Sequence, residues 1–121
     1  LKRMRTGRPF VQLKLAMSID GKTAMANGES KWITGAQARA DVQQYRAKAS
    51  AILSTSQTVL ADNPSLNVRW AELPQEVQTR YTEQNLRQPV RVILDSAHKV
   101  RSDFNLFLTD SPVWLAGINF N

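Results

Sequence analysis

The chain has 121 residues, 42% of them apolar, and a formal charge of +6. This suffices for one compact domain with a core and excludes general disorder. No apolar run reaches the roughly 18 residues of a membrane helix, and the first nine residues lack the apolar stretch of a signal peptide. The absence of cysteine excludes disulfides and thiolate metal sites and fits a reducing cytosol. Basic residues cluster only at Lys2, Arg3, Arg5 and Arg8. A scattered excess of this kind is usually solvated surface, which weighs against nucleic-acid binding. The chain opens on Leu rather than Met, so the expectation is a segment cut from something longer.

Phe10 to Ser18 alternates Val11, Leu13 and Leu15 with Gln12, Lys14 and Ala16, a period of two that predicts a strand. Asp20-Gly21 marks a turn, and a loop follows through Asn27-Gly28. Thr34 and Gln37 have capping-box spacing and predict a helix. On that helix Ala38, Val42, Tyr45 and Ala49 make one apolar stripe, with Arg39, Gln43 and Arg46 off it. Ala51 to Ser54 predicts a short buried strand. Ser56 to Ala61 predicts a helical turn with Val59 and Leu60 inward, stopped by Asn63-Pro64. Leu66 to Val68 predicts a further short strand, and Glu72 to Arg87 a surface excursion with one short helix. Pro89 to Asp95 (PVRVILD) and Val113 to Ala116 complete the strands. The alternation implies an α/β layer with parallel pairing. Gly117 to Asn121 reads as an interrupted chain, because parallel sheets need both faces covered.

The residues alone support little specific chemistry. His98 is the single histidine, so a Ser-His-Asp triad would have to use it, and sites built from several histidines are impossible. It sits in a polar turn and reads as a surface residue. Neither GxGxxG nor GxxxxGK[ST] occurs. Polar residues do collect where strands end, at Ser18 and Asp20, Ser54 to Ser56, Asp62, and Asp95-Ser96. In open α/β sheets ligands bind beyond those ends, where free N–H groups and hydroxyls suit a phosphate. Lys14 reads first as a solvent-face residue and second as a cation reaching a cleft. Trp32 reads first as packing and second as a ligand platform. This much reaches an α/β domain with a cleft for an anionic ligand, and no reaction.

Three segments carry a resemblance. VQLKLAMSIDGKTAMANGESKWIT, from Val11 to Thr34, resembles a strand of the type KxAxSLDGK leading to GxSxWIT. ARADVQQYRAKASAILSTSQTVLADNPSLNVR resembles RxDVHxLRAxxDAILVGxxTVLADDPxLTxR, and PVRVILDS resembles PxRVVLDS. In this order, from Arg3 to Ser96, they are similar to the reductase domain of the bacterial bifunctional riboflavin-biosynthesis deaminase/reductase family (RibD/RibG type). The resemblance implies a dihydrofolate-reductase-like three-layer α/β fold with a mostly parallel central sheet, of which only the first part is present. Residues 1–9 resemble the linker from a deaminase domain, and 10–121 the N-terminal part of the reductase domain.

The activity so implied is NADPH-dependent reduction of the ribosyl group of 5-amino-6-(5-phosphoribosylamino)uracil to ribityl. The full-length protein would also be a pyrimidine deaminase, with zinc only in that missing domain. A cytoplasmic homodimer is implied too. By position in the motifs, Ser30, Arg46, Leu66 and Arg69 would bind substrate, the arginines suiting its phosphate. Ala16, Trp32, Thr58, Asp62 and Ser96 would contact NADP. Lys14 and Asp62 would lie nearest the chemistry, Lys14 orienting ribose hydroxyls and Asp62 holding or relaying a proton.

Departures from the family pattern are small. Ser54 and Thr55 replace a common Val-Gly, Asn63 replaces Asp, and Gly35 follows WIT where Ser or Gly is usual. A later Glu-(Gly/Ala)-Gly segment, with an acidic substrate contact and a cradle for the NADP phosphates, has no counterpart here. The segment by itself is therefore expected not to turn over. Two alternatives remain: another dihydrofolate-reductase-like oxidoreductase, against which the GxSxWIT and TVLADxPxLxxR matches count, and a small basic nucleic-acid-binding protein.

Overall fold

The computed structural model describes residues 2–28 and 34–117. It divides into two units, Leu1–Ala36 and Gln37–Asn121. In the first, helix α1 (Lys2–Thr6) is followed by irregular chain with a turn in which Ser18 N–H donates to the Lys22 carbonyl at 2.9 Å. No strand forms over Phe10–Ser18, contrary to the period-two expectation. Val11 and Leu13 stand exposed. Alternation makes a segment competent to be a strand, but a strand exists only when another backbone completes its ladder, and none does among the described residues.

The second unit is built on three parallel strands, β1 (Ala51–Thr55), β2 (Val90–Leu94) and β3 (Val113–Ala116), in the order β1-β2-β3. Ile52 pairs with Arg91 and Arg91 with Val113; Leu53 pairs with Val92 and Val92 with Trp114. The β1–β2 crossover carries helix α3 (Ser56–Asp62), a 3-10 turn at Trp70–Glu72, helix α4 (Gln75–Arg80) and a second 3-10 turn at Glu83–Asn85. Helix α2 (Ala36–Lys48) precedes β1, and a third 3-10 turn, Asn105–Phe107, precedes β3.

The core lies on one side of the sheet. Val59 of α3, Ile93 of β2, Val100 and Leu106 are buried, with Leu66, Phe104, Phe107 and Val113 against them. Each aliphatic side chain so buried contributes about 1.5–3 kcal/mol. The opposite side, marked by the register row Leu53–Val92–Trp114, is open: Leu53 is 67% and Trp114 63% exposed.

Helix α3 has clear local causes. Extended Thr55 caps its N-terminus, its hydroxyl accepting from Thr58 N–H at 3.4 Å. Asn63 caps the C-terminus at φ 43°, a left-handed conformation that asparagine tolerates and that Pro64 then keeps from continuing. Val59 faces inward as expected, but Leu60 is exposed. A seven-residue helix offers only a narrow inward stripe, and residue 60 turns about 100° away from 59.

Two further expectations are corrected. Helix α2 opens at Ala36, later than the Thr34–Gln37 box predicts, and its buried residue is Gln43. Ala38 and Tyr45 of the expected apolar stripe are exposed and Val42 is only half-buried. Leu66 to Val68 is not a strand: Leu66 takes φ 53°, which breaks any extended run.

Candidate functional site

The segment from Asn63 to Arg69, between α3 and the Trp70 turn, has no regular structure, yet side chains from several places hold its backbone. Asn105 donates its N–H to Asn63 Oδ1 at 2.8 Å and its amide to the Asn63 carbonyl at 3.0 Å. Arg91 of β2 donates to the Ser65 carbonyl at 2.7 Å. Arg46 of α2 donates to the Asn67 carbonyl at 3.0 Å. Gln88 holds both backbone groups of Val68, and Gln43 of α2 accepts from Arg69 N–H at 3.1 Å. The loop satisfies its polar groups with side chains instead of a ladder. It is thereby fixed tightly enough to keep Leu66 left-handed, a conformation that costs a non-glycine residue on the order of 1–3 kcal/mol.

This strap brings together three of the substrate residues expected from sequence. Leu66 and Arg69 lie on it, and Arg46 binds it. Arg69 pairs through Nε with Glu72 Oε1 at 2.9 Å. Burial, and after it the neighbouring Arg69 charge, push the Arg46 pKa below the usual guanidinium value, while Glu72 opposes them. Arginine nonetheless keeps its charge at neutral pH. Glu72 pairs with Arg69 and reaches Arg46 only through its charge, so among the described residues two guanidiniums stand near one carboxylate, which leaves one positive charge. Arg69 is about half exposed and no hydrogen bond to its terminal nitrogens occurs among the described residues. The arrangement is suited to a phosphate or other anion, which can take two parallel charge-assisted bonds.

The carboxyl edge of the sheet forms a second polar cluster. Asp95, just after β2, is buried, and its oxygens accept from Lys99 N–H and Val100 N–H, each at 2.9 Å. Burial pushes its pKa up, but those two bonds, a hydrogen bond from Ser56 and the His98 charge together hold it below the usual carboxylate range. The Ser56 bond ties the start of α3 to the end of β2. Thr58, two residues after Ser56, is half-buried, Ser96, next to Asp95, is exposed, and Asp62 ends α3 in solvent. Exposed His98 sits in the turn that Asp95 organises, at φ 50°.

The other expected residues belong to the first unit or to undescribed chain. Lys14 is exposed and Ala16 half-buried in the first unit, and Ser30 and Trp32 lie outside the described residues. One surface hollow is lined by Ser18, Asp20, Lys22 and Ala24 to Ala26, another by residues of α2 and α4 with Tyr81 and Leu86; among the described residues neither contains an expected site residue. Among the described residues no helix is long and apolar enough to cross a membrane, and no group of His, Cys, Asp and Glu could hold a metal ion.

Sequence reasoning missed Gln43, Glu72, Gln88 and Arg91. Arg91 carried a signal: a charged residue at the centre of an apolar strand, on the parity of Ile93. It is fully buried, donating to Thr109 Oγ1 at 2.9 Å and to the Ser111 carbonyl as well as to Ser65. Burial lowers its pKa. Gln43 and Gln88 carried no signal, since polar residues at such positions are usually solvated.

The family described as RibD C-terminal domain matches residues 9–119. The chain is 70% identical over 115 residues to the riboflavin biosynthesis protein RibD of Haemophilus influenzae, covering 95% of this chain and 31% of that protein. It is 48% identical over 91 residues to the 5-amino-6-(5-phosphoribosylamino)uracil reductase of Buchnera aphidicola subsp. Acyrthosiphon pisum, covering 75% of this chain and 44% of that protein. Among solved structures, Acinetobacter baumannii RibD superposes with a TM-score of 0.83 at 42% identity, over 98% of this chain and 32% of that one. The chain thus spans about a third of the length of the RibD proteins it matches. The expected dihydrofolate-reductase-like α/β fold with a parallel sheet is borne out.

Proposed function

The chain belongs to the RibD C-terminal domain family, and on that premise we propose that it forms part of a 5-amino-6-(5-phosphoribosylamino)uracil reductase of riboflavin biosynthesis. The observation that carries this reading is the strap from Asn63 to Arg69. It presents Leu66 in a strained conformation and Arg69 beside Arg46, with one uncompensated positive charge for a phosphoribosyl ligand. Ser30, Arg46, Leu66 and Arg69 bind that substrate, the arginines taking its phosphate or its pyrimidine side.

NADPH, when bound, supplies the hydride that converts ribosyl to ribityl. The hydroxyls of Thr58 and Ser96, close in sequence to Ser56 and Asp95, fit the ribose and phosphate oxygens of such a dinucleotide at the carboxyl edge of a parallel sheet. Ala16, Trp32 and Asp62 complete its contacts. Lys14 orients the ribose hydroxyls, and the Asp62 carboxylate holds or relays the proton that must move as the ring opens. The Glu-(Gly/Ala)-Gly segment has no counterpart among these residues, and turnover belongs to a polypeptide of the relatives' length. That polypeptide is a cytoplasmic homodimer with a deaminase domain, to which residues 1–9 are the linker and which alone carries zinc.

The test is NADPH oxidation by that complete polypeptide. Turnover with the phosphoribosylaminopyrimidine and none with dihydrofolate is the expected result. Turnover of dihydrofolate alone would refute the reading.

A further inference from the structure

Gln43 lies in the middle of α2, on the solvated side by sequence pattern, yet it is 1% exposed. Its amide is used at both ends. Oε1 accepts from Arg69 N–H at 3.1 Å, and Nε2 donates to Glu72 Oε2 at 3.1 Å. The other Glu72 oxygen, Oε1, takes Arg69 Nε at 2.9 Å. The three residues close a ring in which Arg69 is held twice, by its backbone and by its Nε. Among the described residues no hydrogen bond is made to the two terminal nitrogens of its guanidinium. Burying an amide costs free energy unless each end is satisfied, and a leucine would fill similar space without that cost.

We propose that Gln43 and Glu72 are positioning residues that aim the Arg69 guanidinium at the phosphate of the phosphoribosyl substrate. This rests on the substrate reading given above. Glu72 fixes the plane of the guanidinium through Nε. Gln43 fixes both Glu72 and the backbone from which Arg69 projects. Neither residue touches substrate. Their effect is preorganisation, because Arg69 enters the complex with its rotamer already chosen, which spares part of the ordering cost of binding.

The experiment measures steady-state kinetics of the complete reductase polypeptide with Gln43→Leu, Arg69→Ala and both together. Gln43→Leu should raise KM for the phosphoribosylaminopyrimidine about tenfold, the scale on which members of one hydrogen-bonded network couple. KM for NADPH and kcat should stay within about twofold. Arg69→Ala should raise the same KM further, and adding Gln43→Leu to it should change nothing more, since Gln43 acts through Arg69. A purely structural Gln43 would multiply its effect onto that of Arg69→Ala; that result would overturn the proposal. If Arg69→Ala raises KM while Gln43→Leu does not, the proposal falls and the substrate reading stands. If Arg69→Ala leaves KM unchanged, both fall. Should Gln43→Leu fail to fold, Glu72→Gln takes its place. It keeps the shape and removes the charge, and it should raise KM several-fold in the parent and not in the Arg69→Ala background.

Discussion

Gln88 grips Val68 with both ends of its side-chain amide: Val68 N–H donates to Gln88 Oε1 at 2.8 Å, and Gln88 Nε2 donates to the Val68 carbonyl at 2.9 Å. The pair imitates one rung of a ladder in a place where no strand forms. Val68 is buried, so water cannot replace the rung. Gln88→Leu should cost about 2 kcal/mol, since it leaves a buried donor and acceptor without partners. Gln88→Glu, which keeps only the acceptor, should fall between. Denaturant unfolding of the complete protein measures the loss. Faster hydrogen exchange at the Val68 amide would place it on this segment.

Arg91 joins the middle strand to two separated stretches of chain, at Ser65 and at Thr109 to Ser111, with no carboxylate partner among the described residues. Its Nε also finds no partner among them. Arg91→Ala should destabilise by roughly 3 kcal/mol or more, because several charge-assisted hydrogen bonds go and a cavity remains. Arg91→Lys should not rescue, as an ammonium cannot span the Ser65, Thr109 and Ser111 acceptors as a planar guanidinium does. Stability of Arg91→Lys equal to that of the parent would contradict this account.

The folded-state pKa of Asp95 is depressed. Its stabilising effect is therefore fully present above the unfolded-state value, about 3.9, and is lost as pH falls through the lower folded value. Asp95→Asn should be less stable than the parent at neutral pH, and the gap should close below about pH 4. Unfolding of both proteins across that range checks it. A gap that stayed constant into acid would mean that the Asp95 charge is not what the turn uses.

Asp62 and Lys14 are exposed, so their removal should leave stability nearly unchanged and act on turnover. Asp62→Ala in the complete enzyme should lower kcat by about 10²–10⁴, the usual effect of positioned proton transfer. A loss within about threefold would remove Asp62 from any acid/base role. Lys14→Met should reduce kcat with KM for NADPH little changed, as expected of a group that orients the ribose hydroxyls.

The sequence by itself determined strands at Ala51–Ser54, Pro89–Asp95 and Val113–Ala116 with parallel pairing, though not the burial of the first, a helical turn from Ser56 stopped at Asn63-Pro64, and the motif positions of Arg46, Leu66 and Arg69. These depend on local rules: an apolar run, an Asn-Pro stop, and spacing along the chain. Only the tertiary structure decided that Gln43 and Arg91 would be buried while Tyr45 and Leu60 stayed outside, and that Leu66 to Val68 would be a strapped loop. Each of those outcomes depends on a partner distant in sequence. Gln43 finds Arg69 and Glu72, Arg91 finds Ser65 and Ser111, and Val68 finds Gln88. A polar side chain goes inside when a matching donor or acceptor waits there, and hydrophobic periodicity carries no information about such a match.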